Sequence, residues 1–510
     1  MAACSLAPDP TPPAPVTTLP ERFDADSVAT DSLRNLRWWR AFQDPSLNRY
    51  LETVLAANLD LTEAVTRVEE ARALAGVATA DLLPSLTGNG EVSRSDNPNN
   101  AGFGAQIGEL LRLLAGDTTS TGGDDGGDGD DGEGDGEEGG GQPDRFAVTN
   151  YTASLGMAYE VDLWGRARND RKAALADVLA SEADLHAVRL GVLAEAITAW
   201  FEWVELDRRV TLTAEIVDVL QERVVLTETR YDRGLVGSFE LYQIRQDLQN
   251  TQAGLPLLRA QLADVRRRLA LLAGRFPSEL APLLDGDTSP PDPAEPVPSG
   301  IPADLLIQRP DVRAEGRRME AARYRVGARK AELFPSLNLT GTLGLQAVEP
   351  EGLLDLSQWF SNLVAGVTAP LFQGGRLRAN LDAAEARYAR QAAVYGRAVL
   401  TAVGEVEVAL VRHRQERERY EFLRSQLEEA EASVELQADR YASGVGAYPD
   451  YLDALRNRLT VESTLTQARR DLALARLQLH RALGGSWSDD EPVRPTWADP
   501  LPRSDDETSP

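Results

Sequence analysis

The chain has 510 residues, with 53 Lys plus Arg and 80 Asp plus Glu, so its formal net charge is −27. Such an acidic chain repels nucleic acid phosphates, which argues against a DNA- or RNA-binding protein. One Cys excludes an intramolecular disulfide framework, three widely spaced His leave little material for metal chemistry, and a hydrophobic fraction of 42% excludes a wholly disordered chain. No apolar run is long enough for a transmembrane helix, but this does not exclude membrane strands, whose signal is weak and alternating.

The N-terminus contains the single Cys of the chain. Two alanines precede Cys4, and a Pro-rich spacer follows through Pro20. Small residues before a Cys are what bacterial lipoprotein processing requires, although the charged and apolar parts of a signal peptide are missing. The alternative is an incidental Cys. We expect a covalent lipid on Cys4, which adds membrane affinity, and assign residues 1–45 to a lipidated linker; no other cofactor and no metal site are expected.

Residues 46–275 begin with a helix and two strands. The composition and apolar spacing of 46–82 predict a helix, which Pro84 ends. Apolar residues then alternate weakly over 86–92 and strongly over 151–161, which predicts a pair of strands. These segments have the length that a tilted strand needs to cross a bilayer, although an ordinary soluble hairpin is the alternative.

An acidic insertion lies between the two predicted strands. Residues 116–141 contain ten Asp or Glu, twelve Gly and no Lys or Arg. Such a segment has no apolar surface to bury, so we expect a solvated loop. It matches a calcium-binding repeat only in part, because Glu133 stands where an apolar residue should follow.

A long helical hairpin follows the strands. Residues 166–230 contain no Pro and one Gly, which predicts a helix roughly 98 Å long. A turn at 234–237 leads into a returning helix over 238–274, where Leu residues at seven-residue spacing supply a packing seam. A helix of this length must belong to a coiled-coil-like assembly.

The second half of the chain repeats the first. A shift of 210 residues aligns the helical hairpins without gaps, and a shift of 251 aligns Pro84 with Pro335, so the first copy holds 41 extra residues. We therefore divide the rest of the chain into a linker (276–303), a second repeat (304–485) and a mobile acidic tail (486–510). The predicted elements of the second repeat are a helix over 304–333, strands over 337–345 and 363–371, and a helical hairpin over 376–440 and 450–483.

Four predicted strands in one chain constrain the assembly. A membrane-spanning sheet must satisfy all of its backbone hydrogen bonds, and four strands cannot close a barrel. Two chains would supply eight strands and three chains twelve. A soluble periplasmic coiled-coil scaffold is the alternative that needs no barrel.

Four sequence stretches carry a resemblance to a known family. They are CSLAPD (4–9), WWRAFQDPSL (38–47), IPADLLIQRPDVR (301–313), and RYASG (440–444) with Tyr448 and LDA (452–454). They resemble the TolC-like outer-membrane factors, specifically the lipoprotein (NodT-type) branch that serves resistance-nodulation-division efflux pumps, and the resemblance covers about residues 4–486. It implies a mainly α-helical homotrimer in which a twelve-stranded membrane β-barrel, with four strands per chain, continues into a long periplasmic α-helical barrel.

The resemblance also implies a function. A family member is a passive outer-membrane conduit for drugs or other small toxic compounds, anchored in outer-membrane lipid and reaching into the periplasm of a Gram-negative bacterium. Its partners would be a periplasmic adaptor protein and a proton-driven transporter of the inner membrane. A channel for peptide or protein secretion uses the same fold and is the alternative. Enzyme function has no support, because phosphate loops and nucleophile motifs are missing from the sequence.

In the family, the ends of the helical hairpins close the channel and dock the adaptor. Charged groups at a narrow aperture can hold it shut and select ions. Related lipoproteins often carry an Asp two residues after the tip Gly, where this chain has Gly446. Either Asp450 substitutes for it or the constriction is looser. We interpret the Arg309-Pro310-Asp311 motif as structural, setting the start of the helix that follows. The candidate aperture and docking residues are Arg230, Tyr231, Gly234, Arg440, Tyr441, Gly444, Tyr448, Asp450 and Asp453.

Overall fold

The computed structural model describes residues 6–9, 38–98, 145–280, 284 and 309–485. The expected lipid site at Cys4, the acidic insertion, most of the linker 276–303 and the tail 486–510 lie outside the described residues. Within the described ranges, no helix is both long and apolar enough to span a membrane.

Apart from short 3-10 helices, the described residues form seven α-helices and four strands. The first repeat contributes α1 and α2, strands β1 and β2, and the long hairpin α3–α4; the second contributes α5, strands β3 and β4, and the hairpin α6–α7. Their bounds are α1 Pro45–Ala57, α2 Leu59–Ala80, β1 Ser85–Pro98, β2 Arg145–Val161, α3 Arg166–Asp232, α4 Ser238–Leu272, α5 Pro310–Ala331, β3 Ser336–Ala347, β4 Trp359–Thr368, α6 Arg376–Ala442 and α7 Tyr448–Ala482.

The chain divides into two compact units, and each contains parts of both repeats. One unit comprises the described residues within 79–168 and 331–375 and contains the strands. The other comprises the described residues within 5–78, 169–330 and 376–510 and contains nearly all of the helical structure.

The strand unit is one antiparallel sheet in the order β1-β2-β3-β4. Leu155 of β2 lies opposite Leu343 of β3, which fixes the register of the central pair. The predicted fourth strand, 363–371, is wrong at both ends, because β4 runs over Trp359–Thr368. Pro370 has no amide hydrogen to donate to a ladder, so the strand ends before it.

The sheet leaves large apolar side chains exposed. Leu86, Leu155, Leu363 and Val367 are each more than half exposed. In the described chain, β1 pairs only with β2 and β4 only with β3, so both are edge strands. An exposed apolar sheet with two open edges is a surface that needs a partner.

The helical unit has the same dimensions in both repeats. The helices α3 and α6 each have 67 residues, and α4 and α7 each have 35. The long hairpins predicted from the lack of Pro and Gly are therefore confirmed. The equal lengths show that the 210-residue repeat of the sequence is also a repeat of structure.

The helix predicted over 46–82 is interrupted at Asn58. This residue has an extended backbone, its side-chain amide donates to the carbonyl oxygen of Leu272 (3.0 Å), and its side-chain oxygen accepts from the amide of Leu61 (3.1 Å). An Asn side chain that bonds nearby backbone groups competes with continuous helix. The prediction of a single helix is wrong for this reason.

The largest core of the helical unit lies where α1 packs against α3 and α4. Trp200 of α3 is fully buried and stacks on Tyr50 of α1 at 5.3 Å between ring centroids. The indole of Trp200 donates to Asp44 (2.9 Å), the N-cap of α1, and the Tyr50 hydroxyl donates to the carbonyl oxygen of Leu269 (3.0 Å). Each aromatic ring thus buries its apolar body while its polar atom keeps a partner.

The last helix of each repeat ends in an equivalent hydrogen bond that is made by different residues. Arg309 corresponds to Asn58 at the shift of 251, and Ala482 corresponds to Leu272 at the shift of 210. Arg309 donates to the carbonyl oxygen of Ala482 (2.9 Å), as Asn58 does to Leu272. We call α2 and α5 the upper helices and α4 and α7 the returning helices. In each repeat, the side chain of the residue just before the upper helix therefore donates to a terminal carbonyl of the returning helix.

Arg309 is buried but fully paired. It donates to Asp311 (2.8 Å) and to Glu405 of α6 (2.7 Å) and is 6% exposed. Burial opposes ionisation of Asp311, but the hydrogen bonds and charge of Arg309 outweigh it and hold the pKa of the Asp311 carboxyl below its usual range. The geometry agrees with the structural role interpreted for this motif.

A short N-terminal stretch lies against α5. Arg323 donates to the carbonyl oxygen of Pro8 (3.2 Å), and a Cβ at Gly327 would lie 2.8 Å from the amide nitrogen of Ala7. Glycine at 327 therefore allows the N-terminal chain to approach the helix closely.

The close approach at the end of α4 gives a stability prediction. Gly274 has a φ of +62°, and a Cβ there would overlap the carbonyl oxygen of Ala57. We expect Gly274→Ala to destabilise the protein by at least about 2 kcal/mol, from backbone strain and overlap. The matched control is Gly191→Ala within α3, where nothing lies within 4 Å of a Cβ, and a gain of about 0.5–1 kcal/mol is expected. Thermal unfolding of the detergent-solubilised protein measures both, and equal effects would contradict the assignment.

The Arg309–Asp311 pair gives a pH prediction. A carboxyl with a lowered pKa contributes stability above its unfolded pKa, about 3.9, and loses it as pH falls through the folded pKa. The Asp311 side chain is 51% exposed, so solvent screening limits the contribution to about 1 kcal/mol or less. We expect Asp311→Asn to lower the unfolding temperature at pH 7 and the difference from wild type to shrink below about pH 4.

The control for this variant is Asp60→Asn, because Asp60 is the equivalent residue of the first repeat and has no ion pair in the described chain. Circular dichroism between pH 3 and 7 follows the unfolding. A difference between wild type and Asp311→Asn that persists unchanged to the lowest pH would show that the ion pair is not its source.

Candidate functional site

The first hairpin turn joins α3 to α4. Gly234 adopts a φ of +71°. The amide of Gly234 donates to the carbonyl oxygen of Tyr231 (2.8 Å), and the amide of Leu235 donates to the carbonyl oxygen of Arg230 (2.8 Å). Only glycine adopts this left-handed conformation without strain, and the two bonds satisfy terminal carbonyls of α3. The predicted residues Arg230, Tyr231 and Gly234 therefore form the end of α3 through their backbone.

The second turn joins α6 to α7 and repeats this geometry. Gly444 has a φ of +72°, and the amides of Val445 (2.9 Å) and Gly446 (2.8 Å) both donate to the carbonyl oxygen of Arg440. A Cβ at Gly446 would lie 2.9 Å from the Cβ of Arg440. With this backbone, a side chain at position 446 would crowd Arg440, whereas the equivalent position of the first turn is Val236.

Three tyrosines cluster beside the second turn. The ring centroids of Tyr441 and Tyr448 are 4.8 Å apart, and those of Tyr448 and Tyr451 are 5.9 Å apart. The hydroxyl of Tyr448 donates to the carboxylate of Glu222 on α3. This hydrogen bond favours the neutral phenol and raises the pKa of Tyr448 to about 12. Tyr448 thus links the second hairpin to the first.

Ion pairs join the same two hairpins. Arg223 of α3 pairs with Asp453 of α7, and Arg456 of α7 lies 3.9 Å from Asp453 and 3.6 Å from Asp247 of α4. Partial burial, followed by the charge of Arg456, lowers the pKa of Arg223. We call these four residues with Glu222 and Tyr448 the tip network. It ties together three helices from both repeats.

Only some of the predicted site residues enter this network. Tyr448 and Asp453 belong to it, and Tyr441 stacks on it. Asp450 lies exposed in the first turn of α7, and the ion pair with Arg223 is formed by Asp453. Within the described chain, the guanidinium groups of Arg230 and Arg440 form no ion pair.

Sequence reasoning missed four members of the tip network. They are Glu222, Arg223, Asp247 and Arg456. All lie one to three helical turns from a hairpin turn, and Arg456 follows Asp453 at the three-residue spacing of helix neighbours. That spacing was a usable signal for Arg456, whereas the others become neighbours only when the two hairpins pack.

The comparisons with known proteins fit this architecture. The family model described as Outer membrane efflux protein matches residues 50–275 and 301–485, which is most of the chain and both repeats. The chain belongs to the outer membrane efflux protein family. It is an efflux channel protein of the outer membrane of Gram-negative bacteria.

Two relatives and one solved structure show how far the similarity extends. The chain is 29% identical over 497 residues to the pyoverdine export outer membrane protein OpmQ of Pseudomonas putida, covering 96% of each protein. It is 28% identical over 451 residues to the solvent efflux pump outer membrane protein SrpC of Pseudomonas putida, covering 88% of this chain and 87% of SrpC. The structure of the outer-membrane channel OprN superposes with a TM-score of 0.76 at 27% identity, covering 95% of this chain and all of that one.

Proposed function

We propose that this outer membrane efflux protein is the passive conduit of a tripartite pump, and that the tip network is its periplasmic gate. The observation that carries the gate is that hydrogen bonds and ion pairs cross from one helical hairpin to the other at their turn ends. The Arg223 and Asp453 side chains are 23% and 43% exposed. Such pairs contribute about 0.2–1 kcal/mol each, so they can separate without unfolding the helices.

The sheet supports a trimer. Its open edges β1 and β4 leave backbone donors and acceptors without strand partners in the described chain, and its exposed leucines fit a lipid-facing surface. Three copies would join edge to edge into a closed twelve-stranded barrel, which satisfies every strand. Two copies would give the eight strands of a narrower barrel.

The turns support docking of a periplasmic adaptor. Leu235 and Val445 occupy equivalent positions of the two repeats and are 64% and 75% exposed, and Phe239 beside the first turn is 77% exposed. Exposed apolar side chains at matching places on both hairpins fit a partner that contacts the repeats in the same way. Through this adaptor, an inner-membrane proton-driven transporter would supply the energy.

The exported compounds are proposed from the relatives. SrpC is named for solvent efflux and OpmQ for pyoverdine export. The name of SrpC describes efflux of solvents, which favours small toxic organic compounds over proteins as the cargo of this chain. A conduit changes no bonds in its cargo, so the proposal includes no enzymatic step.

The gate is tested by single-channel recording in planar bilayers. Arg223→Ala or Asp453→Ala removes the ion pair and should raise the open fraction by up to about fivefold per pair, the equivalent of 1 kcal/mol. The exchanged pair Arg223→Asp with Asp453→Arg should restore closure. Asp439→Ala, an exposed carboxylate near the end of α6, is the matched control and should leave the wild-type open fraction. Unaltered gating in both single variants would rule out this pair as the gate, and wild-type protein that never conducts would contradict the channel itself.

The lipid anchor is a separate proposal that rests on the sequence around Cys4. We expect cells to incorporate labelled fatty acid into the wild-type protein and not into Cys4→Ala, because the thiol is the attachment point. Labelling followed by purification of the protein measures this. Label retained in the Cys4→Ala protein would exclude Cys4 as the lipid site.

A further inference from the structure

A crevice lies among α3, α5 and α6. Its cavity has a volume of about 520 Å³, within the range of small-molecule sites. The three helices supply a lining that is rich in arginine. The charged lining residues are Asp170 and Asp177 of α3, Arg318, Arg325 and Arg329 of α5, and Arg387 and Arg390 of α6.

The arginines of α5 have acidic partners on α3. Arg325 pairs with Asp177, and Arg329 lies 3.5 Å from Asp170. Arg318 pairs with Asp184 and, at 2.6 Å, with Glu315 of its own helix. These pairs join α5 to α3 along the crevice, and they balance the charges of the three lining arginines of α5.

The arginines of α6 differ from those of α5. Arg387 and Arg390 are exposed and form no ion pair with any other part of the described chain. Because the three lining arginines of α5 are paired, the unbalanced positive charge of the crevice comes from Arg387 and Arg390, in a protein whose overall charge is −27. Two unpaired guanidinium groups on one edge of a cavity favour an anion there.

The arginine face of α5 points away from the N-terminal segment. Arg318, Arg325 and Arg329 share one face of the helix. Arg323 and Gly327, which contact Pro8 and Ala7, lie two residues before and two residues after Arg325. At about 100° per residue, two residues turn the helix by roughly 200°, so the two contacts are on opposite faces. Residues 6–9 closely follow the proposed lipid anchor Cys4 in sequence, so in the proposed channel the face of α5 that they contact would be the outer one.

We propose that this crevice binds soluble anionic small molecules with carboxylate or phosphate groups and forms a cationic band on the inner wall of the channel. The placement on the inner wall rests on the proposed channel function; the binding of anions does not. Arg387 and Arg390 are the recognition residues, because a guanidinium group can donate two parallel hydrogen bonds to a carboxylate or phosphate. The Asn380 amide, about two helical turns earlier on α6, adds a neutral donor to the same lining.

The binding test uses full-length protein in a phosphate-free detergent. Isothermal titration with citrate and with inorganic phosphate compares wild type, the crevice variant Arg387→Gln/Arg390→Gln and the control Arg378→Gln/Arg397→Gln. The control removes two exposed arginines of the same helix that do not line the crevice. We expect the crevice variant to bind at least tenfold more weakly and the control to match wild type. Equal binding in all three proteins, or no binding in wild type, would overturn the proposal.

A second arm separates free anions from lipid head groups, which carry the same phosphate chemistry. Short-chain phosphatidic acid at matched concentration should displace citrate no better than inorganic phosphate does. Displacement that is tenfold stronger would overturn the assignment to soluble solutes.

The third arm measures reversal potentials of single channels under a potassium chloride gradient. Loss of two positive charges per chain should shift the crevice variant toward cation selectivity. Arg378→Gln, which removes an exposed arginine about 180° around α6 from Arg387, should keep the wild-type value. An unchanged reversal potential in the crevice variant would overturn the placement on the inner wall. If the wild-type protein does not conduct, the proposed channel function fails, whereas the titration still decides whether the crevice binds anions.

Discussion

Most of the stability of a long helix in a protein comes from packing its apolar face against neighbours. Both α3 and α6 have 67 residues, and each is accompanied by a 35-residue returning helix and a 22-residue upper helix of its own repeat. The aromatic core beside α1 and most of the ion pairs between helices connect a long helix to a neighbour. The contact between Asn58 and Leu272 instead joins two shorter helices at their ends.

The junction between the returning and upper helices shows how the repeat accommodates this constraint. A helix end exposes carbonyl groups without partners, and a helix start exposes amides. Asn58 and Arg309 occupy the same place in their repeats and satisfy the same carbonyl with chemically different side chains. The position is fixed by geometry, and the residue type is free as long as it can donate a hydrogen bond.

The charged groups fall into two classes with different consequences. Glu205 of α3 is 1% exposed and accepts from Arg209 (3.0 Å) and from Arg470 of α7 (3.2 Å), so removing a partner would leave a buried charge. The tip network is partly exposed, and its pairs separate at a small cost. Breaking the buried pairs near the middle of the hairpins is therefore costly, whereas the pairs near the turns separate at a smaller cost, as the proposed gate requires.

Much of this protein is determined by its sequence alone. The absence of Pro and the scarcity of Gly predicted the long helices, the left-handed turns needed Gly234 and Gly444, and the two shifts of the repeat located every described helix and strand of the second half to within a few residues. These signals are local or periodic, so they can be read without knowing which segments meet.

Tertiary structure decided the interruption at Asn58, the partners of Asp453 and Tyr448, and the arginine crevice. Each depends on side chains that are tens to hundreds of residues apart in sequence. Glu222 and Tyr448 are 226 residues apart, and neither position by itself distinguishes a network residue from a solvated helix face. Only the packing of one hairpin on the other brings Glu222 within hydrogen-bond distance of Tyr448 and Arg223 within ion-pair distance of Asp453. These contacts between hairpins make the four residues part of one network.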